Sequence, residues 1–554
     1  MKKGLSEIIV RAVTRGQERG EVPGSDLPPL IMEYPREEKY GDYATNIAMT
    51  LASHAERSPR DIAETIVRYI EDDEGIIERV EVAGPGFINF FLKADYWHHF
   101  LREAARQGNR YGEGDIGGGK RVLIEFLSAN PTGPLHIGHG RIAAFGDVLA
   151  NLLEKVGYRV EREYYVNDIG TQMQLLGRSV YLRYLQEWDK ELEFPSDGYQ
   201  GDYISEIART IKNGEGDTYL GSPEEDAINF MGEKASQIIL GWIKDDLERF
   251  QVRFDKWYHE ADLYTSGLVP RLLEELRNKE YLYENEGALW FKSTLFGDEK
   301  DRVVIRGNKA TTYFASDIAY HKDKYNRGYD HIIDIWGADH HGYIPRMEAA
   351  IQALGCDQAI FKVILVQLVN LLRGGKQVSM STRTGEFTSL KEVMDEVGVD
   401  ACRYFFMLRR ADSPLDFDVE LAKREGAENP VYYVQYVHAR ISSIFKKAAE
   451  DGVEVPTFKD VDISQLRLPE ERLLAKRVAI YPEFLEGMAL ALEPHRLTAY
   501  VQDLAGIFHS YYNKHRVISD DKALTNARFL LVKAVQGAVH SALGILGIVA
   551  PTEM

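Results

Sequence analysis

The stretch RVLIEFLSANPTGPLHIGHGR (121–141) decides the fold of this chain of 554 residues. It opens with RVLIEFL (121–127), a short apolar run of the length typical of a buried parallel strand. A turn rich in Pro and Gly follows, and His136 and His139 fall where the next helical pattern begins. The stretch therefore predicts strand, turn and helix in succession, the first unit of a sheet covered by helices.

The turn has the residue types of a phosphate-binding site. A helix N-terminus attracts phosphate through its free N–H groups and its dipole, and Gly138 lets the backbone approach a ligand closely. His136 and His139 share one face of the first helical turn and can donate hydrogen bonds to phosphate oxygens. Two alternatives stay open here. Histidines near a turn are often surface or capping residues, and HxGH also occurs in small nucleotidyltransferases.

Beyond this stretch, short apolar segments alternate with helical ones as far as about residue 392. Such alternation predicts a parallel sheet of Rossmann type. A long, charged and helical stretch at 183–262 is predicted to be an insertion in this domain. The further candidate strands are RVEREYYV (159–166), RVVIR (302–306), HIIDIW (331–336) and KVILVQL (362–368).

The two ends of the chain differ from this central region. Residues 1–107 mix helices with short strands, and Ser58 opens one of the helices. Residues 393–554 are predicted to be helical throughout, with Pro482 and Pro494 separating helices. We therefore predict a multidomain α/β protein with an α+β N-terminal domain (1–107), a Rossmann-type parallel-sheet domain (118–392) and an all-α C-terminal bundle (393–554).

Composition limits the function without selecting one. The formal net charge is −19, which disfavours nucleic-acid binding but does not exclude a local basic groove. Cys356 and Cys402 lack metal-ligand spacing and exclude a disulfide framework, so we expect a reducing, cytoplasmic compartment. No apolar run approaches the roughly 18 residues of a membrane span. We expect a soluble protein with no membrane partner.

HIGH (136–139), which a strand precedes, resembles the first signature of the class I aminoacyl-tRNA synthetases. The second signature of that class, KMSKS, should follow the last strand of the sheet. This chain has GGKQVSMSTRTGEF (374–387) in that position. The resemblance implies that both segments serve ATP, with the second one holding the pyrophosphate.

The second signature matches only in part. Ser379 and Thr382 replace both family lysines, so Lys376 and Arg383 are the cations left to hold pyrophosphate. Some arginine enzymes of this class use a lysine just before HIGH instead, and Gly133 occupies that position here. The sequence thus leaves open which cation serves the β- and γ-phosphates.

Segments along almost the whole chain resemble the arginyl-tRNA synthetase family of bacterial type. The resemblance implies ATP-dependent ligation of L-arginine to tRNA(Arg) through an arginyl-adenylate, with release of AMP and pyrophosphate. It also implies Mg²⁺ that arrives with ATP, no structural metal, a monomer, and arginine activation that needs bound tRNA. The matching segments are YPREEKYGDYATNIA (34–48), EFLSANPTGPLHIGHGR (125–141), YYVNDIGTQM (164–173), YFASDIAYHKDKY (313–325), WGADHHGYIPRM (336–347), DACRYFFMLRR (400–410) and NPVYYVQYVHAR (429–440).

The resemblance also assigns substrate residues. Asp317 would pair with the guanidinium and Tyr313 would lie beside it, since residues four apart share a helix face. The implied arginine-binding residues are Glu125, Asn130, His136, Tyr313 and Asp317. The implied ATP-binding residues are Asn130, Pro131, His136, Gly138, His139, Asp339, Ser379, Met380 and Ser381, and the implied catalytic ones are His136, His139, Lys376 and Arg383.

The same resemblance gives the two ends of the chain to tRNA. Phe87 and Asn89, on alternate strand positions, would read a flipped-out base of the tRNA elbow. Tyr436, Arg440 and Met554 would contact the anticodon region. The alternatives are a core Phe with a structural Asn, and a helical aromatic stripe that belongs to the core.

Other interpretations remain from the sequence alone. The chain could be a tRNA-binding protein derived from this family without catalysis, as the worn second signature allows. It could have another class I specificity, although the zinc-site cysteines usual in the cysteine and methionine enzymes are missing. Asp339, His340 and His341 suggest metal, but adjacent positions diverge on a helix, so we expect them to line the ATP and arginine site.

Overall fold

The N-terminal region combines an antiparallel sheet with helices in the computed structural model, which describes residues 2–24, 26–35, 37–53, 57–188, 192–378 and 388–554. The predicted helix start at Ser58 is confirmed, because its side chain accepts the N–H of Asp61 at 3.1 Å. The strands, in the order β1-β2-β4-β3, are Met32–Glu33 (β1), Tyr43–Thr45 (β2), Ile77–Ala83 (β3) and Phe87–Leu92 (β4). The helices are Lys2–Glu18 (α1), Ile47–Ala52 (α2), Pro59–Arg68 (α3) and Ala94–Gln107 (α4).

Strands and helices alternate through the central region. Its strands are Arg121–Phe126 (β5), Arg159–Val166 (β6), Lys256–His259 (β7), Leu282–Asn285 (β8), Ala288–Phe291 (β9), Arg302–Ile305 (β10), His331–Gly337 (β11), Phe361–Val366 (β12), Val369–Arg373 (β13), Lys376–Gln377 (β14) and Leu415–Asp418 (β15). Its helices are Ile137–Lys155 (α5), Thr171–Gln186 (α6), Asp202–Glu215 (α7), Glu224–Arg249 (α8), Glu260–Thr265 (α9), Leu268–Asn278 (α10), Tyr313–Asn326 (α11), Ile344–Ala353 (α12), Leu390–Val397 (α13), Val399–Phe406 (α14) and Val419–Ala422 (α15).

The predicted parallel sheet is confirmed and has the strand order of a Rossmann fold. Five strands lie in the order β12-β11-β5-β6-β7, and every neighbouring pair is parallel. Along the chain β5 comes first and lies in the middle, so the order changes direction between β5 and β11. Such a switch point leaves a crevice at the carboxyl ends of the two strands, which is where open α/β sheets bind ligands.

Two predictions about which segments belong to the parallel sheet were wrong. RVVIR forms β10, but it pairs antiparallel with β9 in a separate small sheet, because an apolar run alone does not specify its partner. The predicted insertion at 183–262 contains β7, which belongs to the parallel sheet. At four residues on the sheet edge, β7 lacks the apolar run of a central strand.

The C-terminal part is helical from Pro430 onward, as predicted, but Leu415–Asp418 is a strand parallel to β13. Pro482 does not separate helices as expected: it lies inside the helix Pro469–Ala491 (α17). Tyr481 and Leu485 beside it are buried, and such burial offsets the backbone hydrogen bond that a proline removes. Pro494 does lie between two helices. The helices are Pro430–Glu450 (α16), Pro469–Ala491 (α17), Arg496–Lys514 (α18) and Lys522–Leu546 (α19).

Helix α19 corrects the statement that no apolar run is long enough to span a membrane. By length and composition alone it could cross one. However, 83% of its most apolar window is buried inside the structure. Such burial is typical of a core helix.

The chain forms two compact units. The first comprises Met1–Gly112, Arg440–Phe484 and Gly506–Ser541, and the second comprises Glu113–Ala439, Leu485–Ala505 and Ala542–Met554. In the first unit, the Glu483 carboxylate accepts the hydroxyls of Tyr34 at 2.6 Å and Tyr43 at 2.9 Å.

The second unit includes the last residues of the chain. The Arg403 Nε donates to the carbonyl of Leu546 at 2.8 Å, and Gln435 Nε2 donates to the carbonyl of Val549 at 2.9 Å. A third contact joins His438 Nδ1 to the carbonyl of Pro551 at 2.7 Å. Residues 546–551 are therefore part of the unit that contains the parallel sheet.

Candidate active site

The chain leaves β5 through a strained turn at the sheet's switch point. Leu127 and Ser128 both have positive φ, of 70° and 41°, which non-glycine residues rarely adopt. The turn directs the Ser128 hydroxyl back to Glu125, whose Oε1 accepts it at 2.8 Å. The same hydroxyl oxygen accepts the N–H of Tyr165, on β6, at 3.1 Å. Ser128 thus fixes the last carboxylate of β5, a role that the sequence did not indicate.

His136 and His139, the imidazole pair, meet at the start of α5. Their rings stack with centroids 3.6 Å apart. His136 is the N-cap, and its Nδ1 accepts the N–H groups of Gly138 at 3.1 Å and His139 at 3.3 Å. In return, His139 Nδ1 accepts the N–H of His136 at 3.3 Å. The predicted start of the helix is therefore confirmed.

This capping determines what the imidazole pair can offer a ligand. Because both Nδ1 atoms accept hydrogen bonds, each ring keeps its proton on Nε2. Burial lowers the pKa of His136, and burial together with His136 lowers that of His139 well below the usual value. Both rings are thus neutral donors near pH 7.

The expected contribution of free helix amides at this point was wrong. The N–H groups of Gly138 and His139 are already bonded to the His136 ring, so they are not available to phosphate. The presence of glycine at position 138 also has a structural explanation, because a Cβ there would lie 3.0 Å from Cε1 of the His136 ring. The glycine leaves space for the capping ring.

The imidazole pair lines a cavity of about 950 Å³. Asn130, also in its wall, donates to Gln172 Oε1 at 2.8 Å. Four of the predicted ATP-binding residues line this cavity together: Asn130, His136, His139 and Asp339.

Among the described residues, the predicted ATP-binding Pro131 and the predicted catalytic Lys376 do not line this cavity. Pro131 is buried, and Lys376 is exposed on β14, away from the cavity wall. Gly133 lies under Tyr203, whose hydroxyl would be 3.1 Å from a Cβ at 133, so no lysine fits there without moving that ring. Ser379, Met380, Ser381 and Arg383 fall outside the described residues.

Tyr313 and Asp317 lie on α11 as predicted. Asp317 is half-buried and accepts the hydroxyl of Tyr343, while burial raises the pKa of Asp317. Tyr313 is 40% exposed. Its hydroxyl oxygen lies beside Gly170, 3.5 Å from the position that a Cβ on this glycine would take. No signal in the sequence indicated Tyr343, because its partner Asp317 lies 26 positions earlier in the chain.

Glu260 is a second carboxyl group that the sequence analysis missed. It directly follows β7 and is 2% exposed. Burial, together with the charges of Asp317 and Asp168, raises its pKa to about 7. The Asn167 amide, oriented to satisfy its neighbours, donates to Glu260 Oε2 at 2.9 Å. Its position after a sheet strand was the available signal, hidden because β7 had been assigned to the insertion.

Glu125 lies in a charged network beneath this region. Its Oε2 accepts Lys324 Nζ at 2.6 Å, and the same Nζ donates to Asp334 Oδ1 at 2.7 Å. His321 Nε2 lies 2.9 Å from Asp334 Oδ2. We call Glu125, His321, Lys324 and Asp334 the buried network. It joins β5, β11 and α11.

The predicted tRNA-binding residues differ in accessibility. Phe87 and Tyr436 are half-buried and Met554 is 48% exposed, whereas Asn89 is only 3% exposed. The Arg440 guanidinium lies over the Tyr512 ring, 4.5 Å from its centroid.

The exposed His340 and Asp339 lie 3.6 Å apart, and no group of three or more potential metal ligands occurs among the described residues.

Three family models match the chain in succession. The model for the arginyl tRNA synthetase N terminal domain matches residues 1–92. The catalytic domain of tRNA synthetases class I (R) matches residues 101–408, and the DALR anticodon binding domain matches 434–554.

Full-length relatives agree with these matches. The arginine–tRNA ligases of Citrifermentans bemidjiense and of a Geobacter species are 50% and 51% identical over 555 residues, covering 100% of this chain and of each relative. The solved arginyl-tRNA synthetase of Thermus thermophilus has the same fold, with a TM-score of 0.79 over 100% of both chains at 24% identity.

Proposed function

The chain belongs to the arginyl-tRNA synthetase family, and on that premise we propose that the cavity beside the imidazole pair binds ATP while Asp317 and Glu260 bind the arginine side chain. The reaction is the ATP-dependent ligation of arginine to tRNA for protein synthesis. The chain is thus an enzyme, and the non-catalytic, nucleotidyltransferase and other class I interpretations are set aside.

The imidazole pair supports the ATP site. Two neutral rings that line the cavity and carry their protons on Nε2 can donate to phosphate oxygens as negative charge develops on them. Asn130 and Asp339 are proposed to contact the nucleotide from the same cavity. Pro131 and Gly138 are proposed to contribute by shaping the turn and the helix start that carry the cavity residues. Lys376 and, from the sequence alone, Ser379, Met380, Ser381 and Arg383 are proposed to serve the pyrophosphate, and Mg²⁺ to arrive with ATP.

The carboxyl groups support the arginine site. A guanidinium fork is best satisfied by carboxylates, and Asp317 and Glu260 lie close enough for the charge of one to raise the pKa of the other. Tyr313 is proposed to lie beside the guanidinium. Glu125 and Asn130 are proposed to hold the α-ammonium end, with His136 close to the carboxylate.

The chemistry needs no nucleophilic side chain. The arginine carboxylate attacks the α-phosphorus of ATP, the bond to the β-phosphate oxygen breaks, and pyrophosphate leaves. A hydroxyl of the terminal adenosine of the tRNA then attacks the carbonyl carbon of the arginyl-adenylate. AMP leaves with the electrons of the mixed-anhydride bond. The protein positions the reactants and stabilises phosphate charge.

The finer assignments of domains and partners are also proposals. Residues 1–107 are proposed to contact the tRNA elbow through Phe87 and Asn89, and residues 393–554 the anticodon through Tyr436, Arg440 and Met554. Residues 118–392 are proposed to be the catalytic domain. The matches to 1–92, 101–408 and 434–554 support this division. A cytoplasmic monomer without a membrane partner is proposed as the working form.

The observation that most supports the proposed ATP and arginine sites is the stacked imidazole pair in the wall of one cavity. Isotope exchange tests the proposal. ATP–pyrophosphate exchange is measured with arginine, with and without tRNA, and with lysine or ornithine in place of arginine. We expect exchange with arginine, with tRNA present, and at most a trace with the amines, which lack the guanidinium. Equal exchange with lysine would contradict the carboxylate pocket, and no exchange in any condition would contradict the whole assignment.

A further inference from the structure

Lys324 is a fully buried cation that the reaction as described does not use. Its side chain is 0% exposed, and its ammonium group lies between Glu125 and Asp334 at 2.6 and 2.7 Å. These two carboxylates occupy paired positions on the adjacent strands β5 and β11. Side by side in the interior they would repel each other, and an unpaired buried charge is costly. The Lys324 ammonium group lies between the two carboxylates, so it weakens their repulsion and gives each of them a partner of opposite charge.

His321 completes the charge balance. Its Nδ1 faces the main-chain oxygen of Asp317 at 2.7 Å, and its Nε2 faces Asp334 Oδ2 at 2.9 Å. Since both partners are acceptors, the ring satisfies them together only when both nitrogens carry protons. The buried network then has two positive and two negative groups. Burial raises the pKa of Glu125, and Lys324 is the strongest opposing influence.

Lys324 also links the two halves of the arginine site. It comes from α11, the helix that presents Tyr313 and Asp317, and it bonds to the carboxylate at the end of β5. One ammonium group therefore sets the position of Glu125 relative to the helix that binds the guanidinium. Ser128 holds the other oxygen of Glu125, so this carboxylate has a single orientation.

We propose that Lys324 is a positioning residue for arginine: it holds the Glu125 carboxylate charged and in place for the α-ammonium group while fixing α11 against β5. This inference rests on the proposed role of Glu125. It predicts that loss of Lys324 affects arginine far more than ATP. It also predicts a change in pH dependence, since Glu125 without its cation needs a higher pH to ionise.

The experiment compares Lys324→Met with Glu125→Gln in the full-length enzyme with tRNA present. For Lys324→Met we expect the KM for arginine to rise at least about tenfold, with the KM for ATP within about threefold. The rise should shrink as the pH is raised from 7 to 9. The control is Lys322→Met on the same helix, where the amine lies 3.9 Å from Glu275. It should leave both KM values unchanged.

The outcomes separate the two hypotheses. If Glu125→Gln leaves the arginine KM unchanged, the proposed role of Glu125 fails. If Glu125→Gln raises it but folded Lys324→Met does not, or does so without a pH effect, the positioning role fails. Should Lys324→Met not fold, Lys324→Met/Asp334→Asn removes one charge of each sign and takes its place. Loss of folding in both would make Lys324 purely structural and overturn the inference.

Discussion

His136 and His139 each accept the backbone N–H of the other on Nδ1, at 3.3 Å in both directions. The exchange closes the first turn of α5 and leaves both Nε2–H groups as donors. One ring nitrogen therefore caps the helix, while the other nitrogen of the same ring carries the proton that the proposed ATP site would use. Substitutions can separate these two roles.

His136→Asn should keep the cap and remove the donor, because asparagine is among the best N-cap residues. We expect the exchange rate to fall by about 10²- to 10³-fold, with the free energy of unfolding nearly unchanged. His136→Ala should lose the same activity and in addition about 1 kcal/mol of stability. Urea unfolding and exchange assays check both. Equal stability of the two variants would refute the capping role.

Gly138→Ala tests the space under the His136 ring. The new Cβ would lie 3.0 Å from Cε1 and 3.1 Å from Nδ1 of that ring, so the ring must shift from its capping position. We expect the exchange rate to fall about tenfold or more, since small displacements of a catalytic group are costly. Gly544→Ala is the matched control, since its Cβ would meet nothing within 4 Å. An active Gly138→Ala enzyme would contradict this account.

The sequence predicted the fold where a signal was local. The order of strand, turn and helix around HIGH, and the cap at Ser58, depend on neighbouring residues, and both were placed correctly. Strand β7 was not recognised, because a four-residue edge strand buries too little to need an apolar run. That error hid Glu260, which owes its place in the site to the sheet order.

The buried network was equally invisible. No local pattern distinguishes Lys324 and Asp334 from other charges on a helix and in a strand, and only the pairing of β5 with β11 brings them to Glu125. The family resemblance indicated Tyr313 and Asp317 as arginine-binding residues, because it compares whole segments of sequence. It could not supply the ring tautomers, which depend on hydrogen bonds that form only after folding.

Glu260 should make arginine binding depend on pH. Its pKa of about 7 means that the Glu260 carboxyl group is partly protonated at neutral pH. A bound guanidinium favours the charged carboxylate form. The arginine Kd should therefore rise by up to about tenfold per unit as the pH falls below 7. Calorimetry in two buffers of different ionisation enthalpy should detect released protons. Glu260→Gln should bind weakly without this dependence, and a similar pH profile in that variant would contradict the assignment.

The same group should affect stability in the opposite sense. Because folding raises the pKa of Glu260 from its usual 4.5, the folded state holds a proton that the unfolded chain loses first. The wild type should therefore lose stability relative to Glu260→Gln as the pH rises from 4.5 to 7, with no further change above that range. Urea unfolding of both proteins across this pH range measures the difference.

Arg403→Met should destabilise the second unit strongly. The guanidinium is fully buried, lies 2.5 Å from Asp147 Oδ2, and donates to the carbonyls of Phe250 and Leu546. Its removal takes the nearest cation from the buried Asp147 carboxylate, which keeps weaker contacts with Asn151 at 3.2 Å and Arg162 at 3.7 Å. Breaking such a buried pair costs about 3–5 kcal/mol. Arg410→Met removes an exposed partner of Asp412 and should leave the urea midpoint unchanged. Similar urea midpoints for Arg403→Met and Arg410→Met would contradict the expected difference in stability.

Arg440→Gln tests the proposed anticodon contact. The variant removes the cation over the Tyr512 ring, and the KM for tRNA should rise about tenfold because stacking and charge on RNA are both weakened. The KM for arginine should stay within about twofold. Kinetics of aminoacylation measure both. A change confined to the arginine KM would argue against RNA contact at this position.

The Arg403 contacts also bear on how the protein is made. The carbonyl of Leu546 is translated 143 residues after the guanidinium that donates to it. Until then, a nascent chain that has already collapsed around the parallel sheet contains a buried cation with one acceptor missing. The sheet-containing unit is therefore complete only after the segment from Leu546 to Pro551 has left the ribosome.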